Sequence, residues 1–289
     1  MVQQFYTRQL MSFLKSAILK NYKEICQKEI KIAAWMEPKF SRLPGLNPLA
    51  IDDWLFSDDV FSEQMAYRDY LISNKKDVVF QCLPGSEAAC EELLADIVTH
   101  LHAKGYVKTR SGLIRPDGIE VNLLNDHPLL TAGRLTQHDL CVMELQDDEH
   151  VLTAACLCFP SSWSLTEKIG RPLIKIHEPV PNYTADLARR VQRVFDVIRV
   201  GHPMFRVNTL IYSDPNLHQP RTMSTRRSIS KSNKLWVRSE FQSLVRLQAT
   251  KVVIFGIHNT IVPLESLTKI QKKQLELENL MQAYGVERS

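Results

Sequence analysis

The stretch that decides the fold runs from residue 151 to residue 181 and reads VLTAACLCFPSSWSLTEKIGRPLIKIHEPVP. Its first part, Val151 to Phe159, has the length and apolarity of a buried strand, although such a run also fits a buried helix segment. Asp139 to Leu145 has the same character, and the polar sequence QDDEH joins the two runs. Two strand-like runs with a short polar connection predict an antiparallel hairpin. The sequence therefore favours an antiparallel sheet over a Rossmann core.

The second part of the stretch brings basic residues close to a histidine. Ser164 and Glu167 have capping-box spacing and predict a short helical turn, with Lys168 and Arg171 displayed at its end. The sequence IHEPVP follows, and each proline pushes the residue before it towards extended geometry. We expect the backbone after His177 to be stiff and its ring direction to be fixed, which suits a metal ligand. A histidine that only hydrogen-bonds its own loop is the alternative.

Three further segments have strand-like patterns. Phe205 to Tyr212 places Arg206 and Asn208 on one face, because side chains alternate along a strand. The segment from Leu235 to Leu247 begins as a strand, and a capping box at its centre (SEFQ) then predicts a change to helix. Val252 to Ile257 is predicted as the last core strand. An arginine and an asparagine on a buried strand need partners, and a carboxylate would serve.

Helical patterns flank these strands. Ser86 is expected to cap a helix that ends at Gly105, and Thr184 is expected to cap a second one. The remaining predictions are helix over residues 5–34, helix from Ile51, a short strand at Val78 to Phe80, an irregular segment at Pro128 to Leu135, a solvated basic loop over 213–234, and helix over 262–283. This last helix is expected to pack on the body of the protein or on a second subunit, which would make an oligomer.

The composition limits the classes of partner. The net charge of +4 and pI near 8.7 are mild, and we expect no nucleic-acid partner. No run approaches the ~18 apolar residues of a membrane span, so no membrane partner is expected. Six cysteines without a C-x-x-C pair fit a reducing cytoplasm. The N-terminus, where basic residues precede the first acidic one at Glu24, fits an amphipathic surface helix or a transit peptide.

Several separated motifs resemble one known family. They are FPSSWSLTEKIGRPLIKIHEPVP (159–181), GLNPLAIDDWL (45–55), DLCVMEL (139–145), FRVN (205–208), LWVRSEFQSLVRL (235–247) and VVIFGI (252–257). They are similar to the alpha subunit of heme-dependent oxidative N-demethylases, a family built on a PAS-like domain. The resemblance implies an α+β fold with an antiparallel sheet of PAS-like or helix-grip type, flanking helices and a C-terminal helix. The implied domains are a helical extension (1–44), a PAS-like heme-binding domain (45–261) and a C-terminal helix (262–289).

The resemblance also implies a chemistry. A b-type heme would activate oxygen against the N-methyl group of a small amine, with release of formaldehyde. No flavin or iron–sulfur motif occurs in the chain, so electrons would come from separate reductase subunits that carry flavin and iron–sulfur centres. The residue expected as axial iron ligand is His177, with His138, His202 and His258 as reserves. The alternatives are a non-catalytic heme-binding PAS-type sensor or carrier, and a PAS-like module without heme.

Charged residues of the matching motifs are candidates for the heme propionates and the substrate. The basic candidates for the propionates are Lys168, Arg171, Arg206 and Arg238. Asp139 or Glu240 is expected to hold the cationic amine, because a buried ammonium requires an opposite charge. Each of these residues has an ordinary salt bridge as its alternative, and for Glu240 the near Arg238 is the expected partner.

The chain departs from the family pattern at two histidines. His138 stands where the family usually has an acidic residue, and His258 lies where a basic residue is usual. If both line the pocket, they change its charge and its hydrogen bonding between about pH 6 and 7.

Overall fold

The structure is a computed structural model, and it describes residues 24–41, 45–177, 184–222, 228–229, 234–275 and 287–288. The strands in chain order are β1 (Asn47–Pro48), β2 (Phe80–Cys82), β3 (Val107–Lys108), β4 (Gly112–Ile114), β5 (Glu120–Asn122), β6 (Asp139–Gln146), β7 (Glu149–Cys156), β8 (Met204–Tyr212), β9 (Ser228–Ile229), β10 (Trp236–Arg246), β11 (Val253–Pro263) and β12 (Glu287–Arg288). Seven of them form a sheet in the order β1-β8-β10-β11-β6-β7-β2, in which the paired neighbours run antiparallel.

The helices surround this sheet. They are α1 (Pro38–Ser41), α2 (Phe61–Asn74), α3 (Lys76–Val79), α4 (Glu87–Leu101), α5 (Pro128–Leu135), α6 (Leu165–Lys168), α7 (Leu173–His177), α8 (Ala185–Val197) and α9 (Lys269–Gln274), with 3-10 turns at Ala34–Met36, Ile51–Asp53 and Leu264–Ser266. In the ranges described above, no helix has the length and apolarity that crossing a membrane requires. The fold is therefore α+β, as predicted, with a three-stranded sheet of β3, β4 and β5 beside the main one.

The predicted hairpin is confirmed. β6 and β7 pair antiparallel, and the two residues that connect them, Asp147 and Asp148, have φ values of 46° and 70°. Positive φ at both central residues is the geometry of the tight turns that match strand twist, and aspartate tolerates it better than most residues. The apolar run from Val151 is thus a strand and not a helix segment.

Two predictions about the core were wrong. The predicted helix inside 235–247 is absent, because β10 pairs with both β8 and β11 along its length, and this pairing satisfies the backbone. Pro128 to Leu135, predicted to be irregular, is helix α5. It begins with proline at its first position, and the side chain of His127 accepts a hydrogen bond from the Leu129 amide. Histidine is not among the usual capping residues, so the sequence pattern did not signal this start.

The capping predictions had mixed outcomes. Thr184 caps α8 as expected, since its side chain accepts from the Leu187 amide. The helix after Ser86 is confirmed as α4, but neither Ser86 nor Ser164 makes a side-chain cap bond. The predicted strand at Val78 is instead the end of α3, followed by β2.

The terminal and loop predictions also need correction. Residues 24–33 contain no helix, while the earlier part of the predicted N-terminal helix lies outside the described residues. At the other end β11 runs on to Pro263, and helix is confined to α9 within the described part; residues 276–286 lie outside it. The described beginning of the predicted solvated loop is packed into the protein, with Leu217 fully buried and His218 and Gln219 nearly so.

The two faces of the sheet have different coverings. We call the face to which the side chain of Arg206 points the Arg206 face. Strand pairing and alternation place Leu244 of β10 and Ile257 of β11 on this same face. Helices α6, α7 and α8 pack on it through Leu165, Leu173 and Phe195. The opposite face, here the His258 face, contacts α2, α4 and α5 through Met65, Leu93 and Leu130. Each face is thus half of a separate apolar core.

Candidate functional site

The imidazole of His177 lies at the end of α7 and is neutral. Burial lowers its pKa to about 4, and the nearby charges of Lys168 and Arg206 act in the same direction. Its Nδ1 lies 2.9 Å from the carbonyl oxygen of Leu173. A carbonyl only accepts, so Nδ1 carries the proton and the lone pair of the neutral ring is on Nε2. This tautomer is the one in which histidine binds a metal through Nε2.

The position of α7 depends on Lys168. This residue ends α6 and is buried, contrary to the prediction that the turn displays it. Its Nζ donates a hydrogen bond to the carbonyl of Ile176, next to His177, and lies 5.7 Å from the ring centre of Trp163. Burial, reinforced by the charge of Arg171, lowers the pKa of Lys168 to about 8. Lys168 therefore fixes the end of the helix that carries His177, while Arg171 stands exposed beside it.

A row of polar side chains crosses the Arg206 face. Arg206 and Asn208 on β8 pair in register with Gln242 and Glu240 on β10. Glu240 is buried and accepts hydrogen bonds on Oε2 from Asn208 Nδ2 at 3.3 Å and from Gln242 Nε2 at 2.9 Å. Both donors are neutral amides. Among the described residues no ion pair to Glu240 forms, so the expected pair with Arg238 is absent.

The structure brings four of the predicted residues near one another. The charge of Arg206 acts on His177, and the charge of Arg171 acts on Lys168. Leu173 of α7 packs in the same apolar cluster as Leu244 of β10. His177 thus stands over the sheet face that carries Arg206 and, by the register of the strands, Glu240.

Asp139 and Arg238 have structural partners elsewhere. Asp139 is fully buried, pairs with Arg68 Nη1 at 2.7 Å, and accepts from the amides of Cys158 (2.7 Å) and Phe159 (3.0 Å). Arg238 is also fully buried and donates to the carbonyls of Phe159 and Leu217 and to Asn259 Oδ1. Both residues therefore hold the chain around Phe159.

The two histidines that depart from the family pattern meet on the His258 face. The rings of His138 and His258 have centroids 4.9 Å apart. His258 Nε2 lies 2.9 Å from Asp58 Oδ2, and His138 Nδ1 lies 3.1 Å from Thr136 Oγ1. Burial would raise the pKa of Asp58, but hydrogen bonds from His258 and two glutamines outweigh it and lower the pKa to about 2. These histidines lie on the opposite face of the sheet from the polar row.

Asp58 is a residue that the sequence reasoning missed. It lies 200 positions from its partner His258, so no local pattern connects the two. It lines a cavity of about 500 Å³ together with Phe56 and Phe241. Burial, the charge of His258 and the charge of Arg68 hold the pKa of His138 well below its usual range, so this ring is neutral.

The fold and the polar row define a class: an α+β protein in which a neutral histidine at the end of α7 stands over a sheet face that carries a buried carboxylate. Residues 45–285, most of the chain, match the family described as haem-dependent oxidative N-demethylase, alpha subunit-like. The chain belongs to this family, which confirms the expectation from its motifs. The family name indicates a heme-dependent oxidoreductase, and the words "alpha subunit-like" imply other subunits.

Proposed function

We propose that this chain binds heme b through His177 and catalyses the oxidative N-demethylation of a small methylated amine. The observation that carries the proposal is the state of His177, which is neutral and donates Nδ1–H to a backbone carbonyl. Histidines that ligate iron or zinc commonly make this bond, since it fixes the ring and strengthens the basicity of Nε2. The chemistry of the donor therefore fits heme iron.

The basic residues around His177 fit the propionates of the heme. The positive charges of Arg206 and Lys168 act on the imidazole, and Arg171 lies close enough for its charge to act on Lys168. Guanidinium groups pair well with carboxylates, so Arg206 and Arg171 are the residues that we assign to the propionates. Lys168 is assigned a positioning role, because it bonds the carbonyl at the end of α7. Arg238 is not included, since its three donated bonds hold the loop at Phe159 and Leu217.

Glu240 is the residue that we assign to the substrate. A buried carboxylate with neutral donors attracts a cation, and a methylated ammonium ion supplies both charge and N–H donors. Asn208 and Gln242 orient Oε2, so the ammonium would bond to Oε1. Asp139 is disfavoured because Arg68 already compensates its charge. When bound, the heme would supply the activation of oxygen and the oxidation of the N-methyl group.

The remaining parts of the assignment follow from the same proposal. The product would be formaldehyde and a shorter amine, and reductase subunits with flavin and iron–sulfur centres would supply electrons in the cytoplasm. The sheet would be of PAS-like or helix-grip type within a heme-binding domain over 45–261. An N-terminal extension (1–44) and a C-terminal segment (262–289) would flank it. A non-catalytic heme sensor is the second function that the same ligand set would support.

A hemin titration tests the heme assignment. Purified wild-type protein, H177A and the control H202A are titrated with hemin, and His202 suits as control because it is exposed. We expect one heme per chain with a sharp Soret band for wild type and H202A. H177A should lose the band or show a changed ferric spectrum. An unchanged spectrum in H177A would refute the ligand assignment.

A turnover assay separates enzyme from sensor. Reconstituted protein is supplied with dimethylamine, oxygen and a flavin and iron–sulfur reductase, and formaldehyde is measured. Formaldehyde formation that depends on both amine and reductase supports the demethylase. Heme binding without formaldehyde under these conditions favours the sensor.

A further inference from the structure

Two cysteines and a histidine meet at a point remote in sequence from the proposed heme ligand. Cys82 ends β2, Cys90 lies in the first turns of α4, and His127 caps α5. Their sulfur and ring nitrogen atoms all lie within 4.8 Å of one another. Cys90 is buried and the other two are half-buried, so the group lies just beneath the surface.

The fold places these three side chains together through tertiary contacts. β2 is the edge strand that pairs with β7, and α4 packs against α5. The ring of His127 also lies against Phe80, with centroids 4.9 Å apart. The two cysteines are free thiols, and no disulfide joins them. Two sulfur atoms and one imidazole thus come together where β2 ends and where α4 and α5 begin.

We propose that Cys82, Cys90 and His127 bind a zinc ion. Thiolate and imidazole are the donors that zinc prefers, and a tetrahedral site with Zn–S near ~2.3 Å and Zn–N near ~2.0 Å separates the sulfur and nitrogen atoms by about 3.5–3.8 Å. The observed cluster is of this size after a small inward movement. Two thiolates also neutralise the charge of the ion, so the half-buried site would carry no uncompensated cation.

The two cysteines are thiols in the metal-free protein. Burial, with the nearby charges of Glu87 and Glu144, raises the pKa of both Cys82 and Cys90. Zinc would therefore release a proton from each thiol as it binds. A water molecule would complete the four-coordinate shell.

Zinc would replace one existing hydrogen bond. In the described structure the Leu129 amide donates to His127 Nδ1 at 3.2 Å. A neutral imidazole has one lone pair, so zinc on Nδ1 takes this acceptor directly, while zinc on Nε2 moves the ring proton to Nδ1. In both cases the amide of Leu129 loses its partner. The hydrogen-exchange rate of the Leu129 amide should therefore change when zinc binds through His127.

Zinc titration of the full chain tests the site. Reduced wild-type protein is stripped with chelator, titrated with Zn²⁺ against a chromophoric competitor, and its zinc content is measured after dialysis. We compare C82S, C90S and H127Q with the control C26S, whose half-buried cysteine lies outside the cluster. Circular dichroism confirms that each variant is folded, and C82S covers the case in which the buried C90S fails to fold.

The expected result is one zinc per chain for wild type and C26S. The other variants should bind at least about 100-fold more weakly, since loss of a ligand exceeds the usual effect of its supporting groups. Cobalt in place of zinc should give a thiolate charge-transfer band in wild type that C82S lacks, and zinc should speed exchange of the Leu129 amide. The proposal is overturned if reduced wild type retains no zinc, or if C82S and H127Q bind it as tightly as wild type.

Discussion

Asp139 and Glu240 are both buried carboxylates of the same sheet, but their partners differ in charge. Asp139 has an arginine, Arg68, at 2.7 Å and two backbone amides. Glu240 has two side-chain amides, from Asn208 and Gln242. The charge of Asp139 is therefore compensated by an arginine, whereas the donors that Glu240 has among the described residues are neutral amides.

This difference predicts that Asp139 stabilises the fold and that Glu240 binds a ligand. A buried ion pair with its hydrogen bonds complete has no capacity for a ligand, and its partners make it part of the core. A buried carboxylate with neutral donors keeps its attraction for a cation. The comparison predicts that removing the charge of Asp139 affects folding, and that removing the charge of Glu240 affects ligand binding.

The largest effect is expected for D139N. This change leaves the guanidinium of Arg68 buried without its anion and puts an amide donor against a backbone N–H. The free energy of unfolding should fall by about 3–5 kcal/mol, the usual cost of breaking a buried pair from one side. Urea unfolding followed by circular dichroism measures it.

Two other variants complete this test. E24Q removes one member of an exposed pair with Lys234 and should leave the unfolding midpoint unchanged. E240Q keeps the shape of the side chain, so it should lower the free energy of unfolding by less than about 1 kcal/mol. Equal destabilisation by D139N and E240Q would contradict the distinction between the two acids.

A pH effect of intermediate size is expected from His177. Its pKa is about 4 in the folded protein and near 6.5 in the unfolded chain, so between these pH values the unfolded chain binds more protons. The free energy of unfolding therefore falls as the pH falls from 6.5 to 4, and His177 contributes about 3 kcal/mol to this fall.

The variant H177Q isolates this contribution from that of the other histidines. Heme-free wild type, H177Q and H202Q are unfolded in urea at pH 7 and at pH 4.5. Between pH 7 and pH 4.5 the free energy of unfolding of H177Q should fall by about 2–3 kcal/mol less than that of wild type. The fall for H202Q should equal that of wild type. Identical pH dependence in all three proteins would mean that His177 is not held neutral by the fold.

The smallest effect is expected in ligand affinity. This prediction tests whether Glu240, in contrast to Asp139, binds the substrate. Glu240→Gln removes the charge that we assign to the ammonium of the substrate. Dimethylamine should bind about 10–100-fold more weakly, the value of a hydrogen bond to a charged group. The titration uses the Soret band of the reconstituted protein. Glu63→Gln, at an exposed position of α2, serves as control. Unchanged affinity in E240Q would remove Glu240 from the site.

The sequence predicted elements well where the signal is local. The hairpin of β6 and β7 and the capped helix α8 depend on alternation, turn residues and a threonine, all of which lie within a few positions. The prediction failed for β10, where a capping-box pattern competed with pairing to two neighbouring strands. Cross-strand hydrogen bonds and burial outweigh a weak local propensity for helix.

The candidate site was predictable only in part. Its family motif led to His177, and the period of two along a strand placed Arg206 and Asn208 on one face. No sequence pattern indicated that Lys168 bonds the end of α7, or that Arg68 takes Asp139 out of the site. The contact of Arg68 with Asp139 joins residues 71 positions apart, and the contact of Lys168 with Ile176, although it spans 8 positions, depends on the turn between α6 and α7.

The sequence by itself determined the class of fold, the family and the residue types available for the chemistry. The tertiary structure alone decided which charges cancel one another, which histidines share a face, and which cysteines meet a histidine. The physical reason is that electrostatic compensation and metal coordination depend on distances between atoms. Residues such as Asp58 and His258, 200 positions apart, become neighbours only when the sheet is formed.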